Sequence, residues 1–239
     1  KMQIKALKTG VFEENEDLLP FILKYLKKFL VKLPENSILV VTSKVVALAE
    51  GKTAKYINEK EKIALIKKES SLAIKTKHKG TWLTIKDGTV MPNAGIDESN
   101  ADGKLILLPK DSFHSAEIIR KNLKNKFKVK NLGVLITDSR LFPLRAGVVG
   151  VALGYAGFEG VKDYRGSKDI FGRVLKMSQT DVADSLATAA VLCMGEGKEQ
   201  QPLALITGAP VDFVNKINKK ELLINPKDDL YLPLLKSIF

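Results

Sequence analysis

The chain has little of what most thiol and zinc chemistry needs. Cys193 is the only cysteine among 239 residues, so no internal disulfide can form and no cysteine cluster can grip zinc. The two histidines, His78 and His114, stand far apart in polar sequence that predicts exposure. Cys193 falls in an apolar, alanine-rich stretch that predicts packing rather than nucleophilic attack. Any metal chemistry must therefore use oxygen ligands. No apolar run approaches the roughly 18 residues that cross a bilayer, and the longest, at 21–33, is broken by Lys24, Lys27, Lys28 and Lys32. The opening Lys1-Met2-Gln3-Ile4-Lys5 reads as a strand rather than a signal peptide. These absences predict a cytoplasmic protein with no membrane partner.

Two familiar phosphate-binding signatures are missing as well. Gly51-Lys52-Thr53 ends like a P-loop, but Val46 stands where its first glycine should be, and no Gly-x-Gly-x-x-Gly run occurs. Arginine is also scarce. Only five of the 39 basic residues are arginine, and all five lie between 120 and 173. The net charge of +12 admits a basic nucleic-acid-binding protein as a rival reading. Lysine is scattered along the whole chain, however, which predicts weak, salt-sensitive and non-specific contact with nucleic acid. The positive field still attracts smaller polyanions such as nucleotides.

What is present fits a folded body with a real core: 45% hydrophobic and 28% charged residues. The length suits one large domain over 1–239 or two interlocked lobes. Strand patterns fall at 2–7, 37–42, 105–108, 133–137, 148–153 and 203–207, with a hairpin over 82–91 turning at Asp87-Gly88. Helical spacing runs through Leu18, Phe21, Ile22, Tyr25, Leu26 and Leu30, with Asn15 as its expected cap. Further helices are expected from Asn58 to about Lys68, from Asp111 or Ser112 through Leu123, over 182–194, and in the tail at 228–238, where Pro233 interrupts. Strands and helices alternate without a strict βαβ rhythm, so the expected class is α+β with mixed, partly antiparallel sheets.

Three acidic stretches carry the chemistry. They are Asn93-Ala94-Gly95-Ile96-Asp97-Glu98-Ser99-Asn100, Ile136-Thr137-Asp138-Ser139 and Met194-Gly195-Glu196-Gly197. Each is expected where a regular element gives way to loop, the position at which rigid scaffolds display functional groups. Asp97, Asp138 and Glu196, with the Ser139 hydroxyl, would make a hard oxygen site for Mg²⁺ or Mn²⁺. Taken singly, each also reads as a turn, cap or surface residue. A glycine-rich stretch, Gly147 to Gly160, precedes a basic and aromatic segment at 162–173 that could approach an anion closely or be a plain solvated loop.

Taken in order and spacing, these stretches resemble the coenzyme F-420:L-glutamate ligases, which use GTP to add γ-linked glutamate to a deazaflavin cofactor precursor. The likeness covers about 37–208. It includes Ala49-Glu50-Gly51, Asn93-Ala94-Gly95-Ile96-Asp97, Ile136-Thr137-Asp138, Gly147-Val148-Val149-Gly150, Phe171-Gly172-Arg173, Val182-Ala183-Asp184 and Met194-Gly195-Glu196-Gly197. The resemblance implies two divalent ions, one held by Asp97 and Asp138 and a second served by Ser139 and Glu196. It implies GTP contacts from Gly10, Val11, Phe12, Ser43, Lys44, Asn100, Met194, Gly195, Gly197 and Gln201. It also implies a homodimer with a mixed α+β fold. Arg145 and Arg165 are the expected clamps for glutamate or the anionic acceptor, and Asp169 the candidate base. The chain departs from the pattern at Leu48, where the family carries lysine, and at Ser139, where it carries threonine. It departs again over Leu141-Phe142-Pro143-Leu144-Arg145-Ala146-Gly147, which keeps one arginine of the family's run. Loss of polar acceptor contacts makes folate the alternative acceptor, and a metal-binding relic the inactive alternative.

Overall fold

The computed structural model describes residues 1–235. Its centre is a five-stranded mixed sheet built from β1 (Gln3–Leu7), β2 (Ser37–Thr42), β8 (Leu132–Leu141), β9 (Val148–Ala156) and β12 (Leu203–Thr207). The spatial order is β1-β12-β2-β8-β9. Only β2 and β8 run parallel; every other neighbour pair is antiparallel. The continuous apolar runs of β2 and β12 follow from this central place, because both of their faces are covered.

The alternation of the strands divides the core into two layers. Leu39, Val41, Val134 and Ile136 face one side, where α1 (Leu18–Phe29), α2 (Ser43–Ala49) and α4 (Ser112–Phe127) lie. Ile38, Val40, Leu135 and Tyr155 face the other and meet α5 (Val182–Met194). In α5, Ala183, Ala187 and Ala190 recur at helical spacing and let the helix settle close to the sheet. The mixed α+β class expected from the sequence is the class of the fold.

A smaller body is inserted between α2 and α4. It holds β3 (Thr53–Lys55) paired with β7 (Lys104–Ile106), α3 (Glu59–Glu69), and the meander of β4 (Leu72–Lys75), β5 (Trp82–Lys86) and β6 (Thr89–Pro92). Its own cluster centres on Ile66, Ile96, Leu105 and Leu107. The hairpin turn falls at Asp87-Gly88 as expected, with both residues at positive φ, 51° and 75°. On the α5 side of the central sheet, β10 (Val161–Asp163) and β11 (Gln179–Asp181) form the base of an exposed arm. The last described element is a short α6 (Leu232–Leu235).

Several local expectations are corrected. Asn15 does not cap α1. Its backbone is left-handed at φ 61° and its N–H is committed to Leu48 O at 2.9 Å, so Asp17 stands at the helix start without a side-chain cap bond. Asn58 and Asp111 do cap their helices, accepting from Glu61 N and His114 N. Cys193 is exposed on α5 rather than packed, because the face of the helix that meets the sheet is set by the alanines. The tail helix is present only over α6; its remainder, 236–238, lies outside the described residues. Among the described residues no helix is long and apolar enough to cross a membrane.

Candidate active site

A cleft of about 500 Å³ opens where the parallel strands β2 and β8 deliver their carboxyl ends. Five chain segments reach it, and each is tied to another. The segment after β1 carries Gly10, Val11 and Phe12. Thr9 N donates to Gln200 O at 2.8 Å, and Gly10 N donates to the Tyr25 hydroxyl at 2.6 Å. Phe12 is buried edge-on against Phe21, with centroids 4.8 Å apart. This segment is therefore held by both α1 and the loop after α5.

The β2–α2 junction supplies Ser43 and Lys44. Ser43 Oγ donates to Asp138 Oδ1 at 3.2 Å. The Lys44 ammonium reaches across to Asp97 Oδ2 at 2.8 Å and to Ser99 O at 2.8 Å. Asp97 itself is fixed by paired backbone bonds with Ile106, both 2.9 Å. Just before it, a 3-10 turn over Asn93–Gly95 is locked by Thr84 Oγ1, which accepts from Ala94 N at 2.8 Å. Asn100 then bridges the cleft: its Nδ2 donates to Gly197 O at 3.3 Å.

Asp138 and Ser139 were expected where a strand gives way to loop. They lie instead inside β8, one and two residues beyond a register shift at Ile136/Thr137. The strand continues because residues 138–141 keep pairing with β9; the extra residue at the shift, Leu153, lies on β9, so β8 keeps its alternation. On an alternating strand Asp138 and Ser139 point to opposite faces. Asp138 turns to Ser43, while Ser139 Oγ donates to Glu196 Oε1 at 2.6 Å. Glu196 hangs just beyond the end of α5, with Met194 buried beneath it and Gly195 turning the chain at φ 83°.

The electrostatics separate the two aspartates. Burial works against ionisation of Asp97, but the Lys44 ammonium and the Ser99 N–H outweigh it and hold the carboxyl below the usual range. Burial pushes the Asp138 carboxyl upward, and the neighbouring charge of Asp97 adds to this; Arg140, Ser139 N–H and Ser43 only partly oppose it. Arg140 is the group that sequence reasoning passed over. It is 7% exposed, stands two residues along β8 from Asp138, and brings Nη2 to 3.7 Å from Asp138 Oδ2. The same i, i+2 relation in the sequence would have placed it on the Asp138 face, had the strand been drawn long enough.

The expected metal set of Asp97, Asp138, Ser139 and Glu196 lines this one cleft, as do all ten residues expected at the nucleotide. The set is not drawn into a single cage: among the described residues no three His, Cys, Asp or Glu side chains group around one point. Its members sit as Lys44–Asp97, Ser43–Asp138 and Ser139–Glu196 pairs. The donors nevertheless suit a hard cation. They are carboxylates and hydroxyls, and Asp138 is a half-buried carboxyl whose charge a cation would stabilise. Thr137 Oγ1, also in the cleft wall, is buried without a hydrogen-bond partner among the described residues.

Arg145, Arg165 and Asp169 are held outside the cleft. Arg145 is exposed in the turn between β8 and β9. Arg165, in the arm, pairs with Asp163 through its guanidinium, and Asp169 accepts from Phe171 N and Arg173 N at 2.9 and 2.8 Å. Both arm residues are engaged in the arm's own turns, because that segment leaves the body between β10 and β11.

A mixed α+β body with a cleft at the end of a parallel strand pair, lined by two lysines, an arginine and isolated carboxylates, can hold a polyanion and a hard cation together. The chain belongs to the F420-0:gamma-glutamyl ligase family, whose model matches residues 6–208. It is 34% identical to the coenzyme F420:L-glutamate ligase of Methanococcus maripaludis strain C7, over 97% of each chain. The ligase of that name from Methanocaldococcus jannaschii is also 34% identical, over 96% of each chain. That from Methanothermobacter thermautotrophicus is 38% identical over 67% of this chain and 64% of its own. Family membership makes the chain an amide-forming ligase.

Proposed function

We propose that the protein uses GTP and a divalent ion, Mg²⁺ or Mn²⁺, to join L-glutamate in γ-linkage to a carboxylate of a coenzyme F420 precursor. The observation that carries this reading is the gathering on one cleft of Asp97, Asp138 and Glu196, which come from three segments well separated in the chain. Residues that share no secondary structure and pack no common core have little structural reason to meet there.

In this reading the acceptor carboxylate attacks the γ-phosphorus of GTP, the bond from that phosphorus to the β–γ bridging oxygen breaks, GDP leaves, and an acyl phosphate results. The glutamate amine then attacks the acyl carbon, loses a proton and expels phosphate, leaving an amide. Lys44 is suited to meet the phosphates, since a lysine acts on them as a point charge. Asn100 and the backbone at Gly10 and Gly197 bracket the nucleotide. Asp97, Asp138, Ser139 and Glu196 are the residues that would hold the metal, two ions in all; such ions offset the repulsion between triphosphate and carboxylate. Leu48 lines the cleft where the family carries lysine, and Lys44 and Lys198 are the lysines that line it here.

A homodimer completes the reading. The arm presents Ile170, Phe171 and Met177, each more than 85% exposed, and an apolar surface of this kind is suited to a partner. The test is a screen with labelled L-glutamate, GTP and Mn²⁺ against the deazaflavin precursor and tetrahydrofolate. Label in the deazaflavin product supports the proposal. Label in folate alone reassigns the acceptor, and no amide with either acceptor defeats it.

A further inference from the structure

The cleft wall holds one group that the reaction above leaves unused. Arg140 is almost completely buried, yet its Nη1 has no hydrogen-bond partner among the described residues. Its one ion-pair contact, Nη2 to Asp138 Oδ2, is 3.7 Å long and so lies beyond hydrogen-bond length. Asp184 and Asp87 act on it through space, but Asp184 Oδ1 is already accepting from Ala152 N at 2.8 Å. A guanidinium buried with donors uncommitted is costly, and native proteins keep few such groups without a use. Arg140 also lines the cleft. It is the only arginine that does so, since Arg145, Arg165 and Arg173 lie in the turn or the arm and Arg120 bonds to Leu132 O and Val214 O.

We infer that Arg140 is the carboxylate clamp of this cleft, taking a carboxylate of one of the two organic reactants, L-glutamate or the acceptor. The shape of the group argues for carboxylate. A planar guanidinium meets a planar carboxylate through two parallel N–H donors, whereas Lys44, paired with Asp97, is the point charge suited to phosphate. The place argues likewise. Arg140 is one strand step beyond Asp138, so an anion bound there lies next to the residues proposed to hold the metal and the transferred phosphoryl group. The assignment rests on the ligase reading for the identity of the reactants, and on the structure alone for the anion site.

The test compares wild type with Arg140→Met and Arg140→Lys by equilibrium titration of L-glutamate, of the deazaflavin precursor, and of a non-hydrolysable GTP analogue. Titration needs no turnover, so a wild type that binds but forms no amide defeats the ligase reading and leaves this inference standing. Arg140→Met should lose at least about tenfold in affinity for one of the two carboxylate reactants, the scale of a charge-assisted hydrogen bond. Its affinity for the nucleotide analogue should stay within about twofold, because that contact is assigned elsewhere. Which reactant suffers identifies the clamped partner. Arg140→Lys keeps the charge facing Asp138 but not the fork, so it should melt as the wild type does and still bind the same reactant weakly; if the Met variant fails to fold, this variant decides alone. Full affinity in Arg140→Lys would reduce Arg140 to a countercharge for Asp138 and overturn the inference. So would unchanged binding in both variants, an equal loss for nucleotide and reactants, or a wild type that binds neither reactant.

Discussion

The seam between α5 and β9 leaves no room for a methyl group, and Gly150→Ala tests how far the site depends on that closeness. A Cβ at Gly150 would stand 2.4 Å from Ala187 O and 2.6 Å from Val191 Cγ2. The nearer atom is backbone in the middle of a helix, so no side chain can swing away. Thr188 Oγ1 donating to Gly150 O at 2.7 Å holds the two elements in this register. Ordinary contact begins near 3.4 Å, so α5 must retreat by about 1 Å or the strand must bend. Overpacking of this kind costs about 1–3 kcal/mol, which for a chain of this size lowers Tm by roughly 2–12 °C. The same retreat carries Glu196, two residues beyond the helix, away from Ser139, to which it is bonded at 2.6 Å. A displacement of about 1 Å in a reacting constellation can cost on the order of 100-fold in rate. Thermal melting and steady-state turnover on one preparation read both effects. A variant that melts within about 1 °C of wild type and turns over normally would refute the tight seam and the idea that α5 positions Glu196.

Asp138→Asn keeps an acceptor for Ser43 but removes the charge proposed to hold metal; turnover should fall by at least about 100-fold, with Mn²⁺ affinity measured by titration falling too. Asp181 caps α5 by accepting from Asp184 N at 2.9 Å, and partial burial together with the charges of Asp184 and Glu221 raises its pKa from 3.8 to about 6. An acid raised in the folded state adds stability that is fully present below pH 3.8 and lost as pH rises through about 6. Asp181→Asn retains the cap, so its Tm should exceed wild type by roughly 1–2 °C at pH 7 and match it at pH 4; a variant less stable at pH 7 contradicts this account. Phe171→Asp places a charge on the exposed apolar arm and should convert a dimer to monomer in sedimentation velocity, while a wild type that is already monomeric removes the arm's proposed role.

Much of the fold was legible because several signals are local. Ser37 to Thr42 and Leu203 to Thr207 are unbroken apolar runs bounded by turns, and they are the doubly covered strands of the central sheet. Asp87-Gly88 has a single economical turn, and it was found there. The helix at α5 followed from its alanine spacing to the residue. By contrast α2 was not legible: Val45 and Val46 favour extended chain, and the helix forms because Ser43 must turn to Asp138 and the pair must enter the core. The short strands β3, β10 and β11 exist only through partners distant in the chain.

The candidate site divides along the same line. Acidic residues beside glycines, in the order Asp97, Asp138, Glu196, are a property of the sequence, and so is the family likeness they carry. Which of the arginines serves the cleft is a property of the packed molecule. Arg145 and Arg165 look like clamps in one dimension, but their segments leave the body, one in a β-turn and one in an arm paired to Asp163. Arg140 looks like a strand terminus, yet β8 runs on past it, and its partner β9 buries it beside Asp138. Sequence alone determined which chemical groups the protein owns and how regular elements alternate, because those depend on neighbours a few residues away. Which groups face one another across a cleft, and which buried charge keeps a donor uncommitted among the described residues, was decided by long-range strand pairing, a contact that no local pattern encodes.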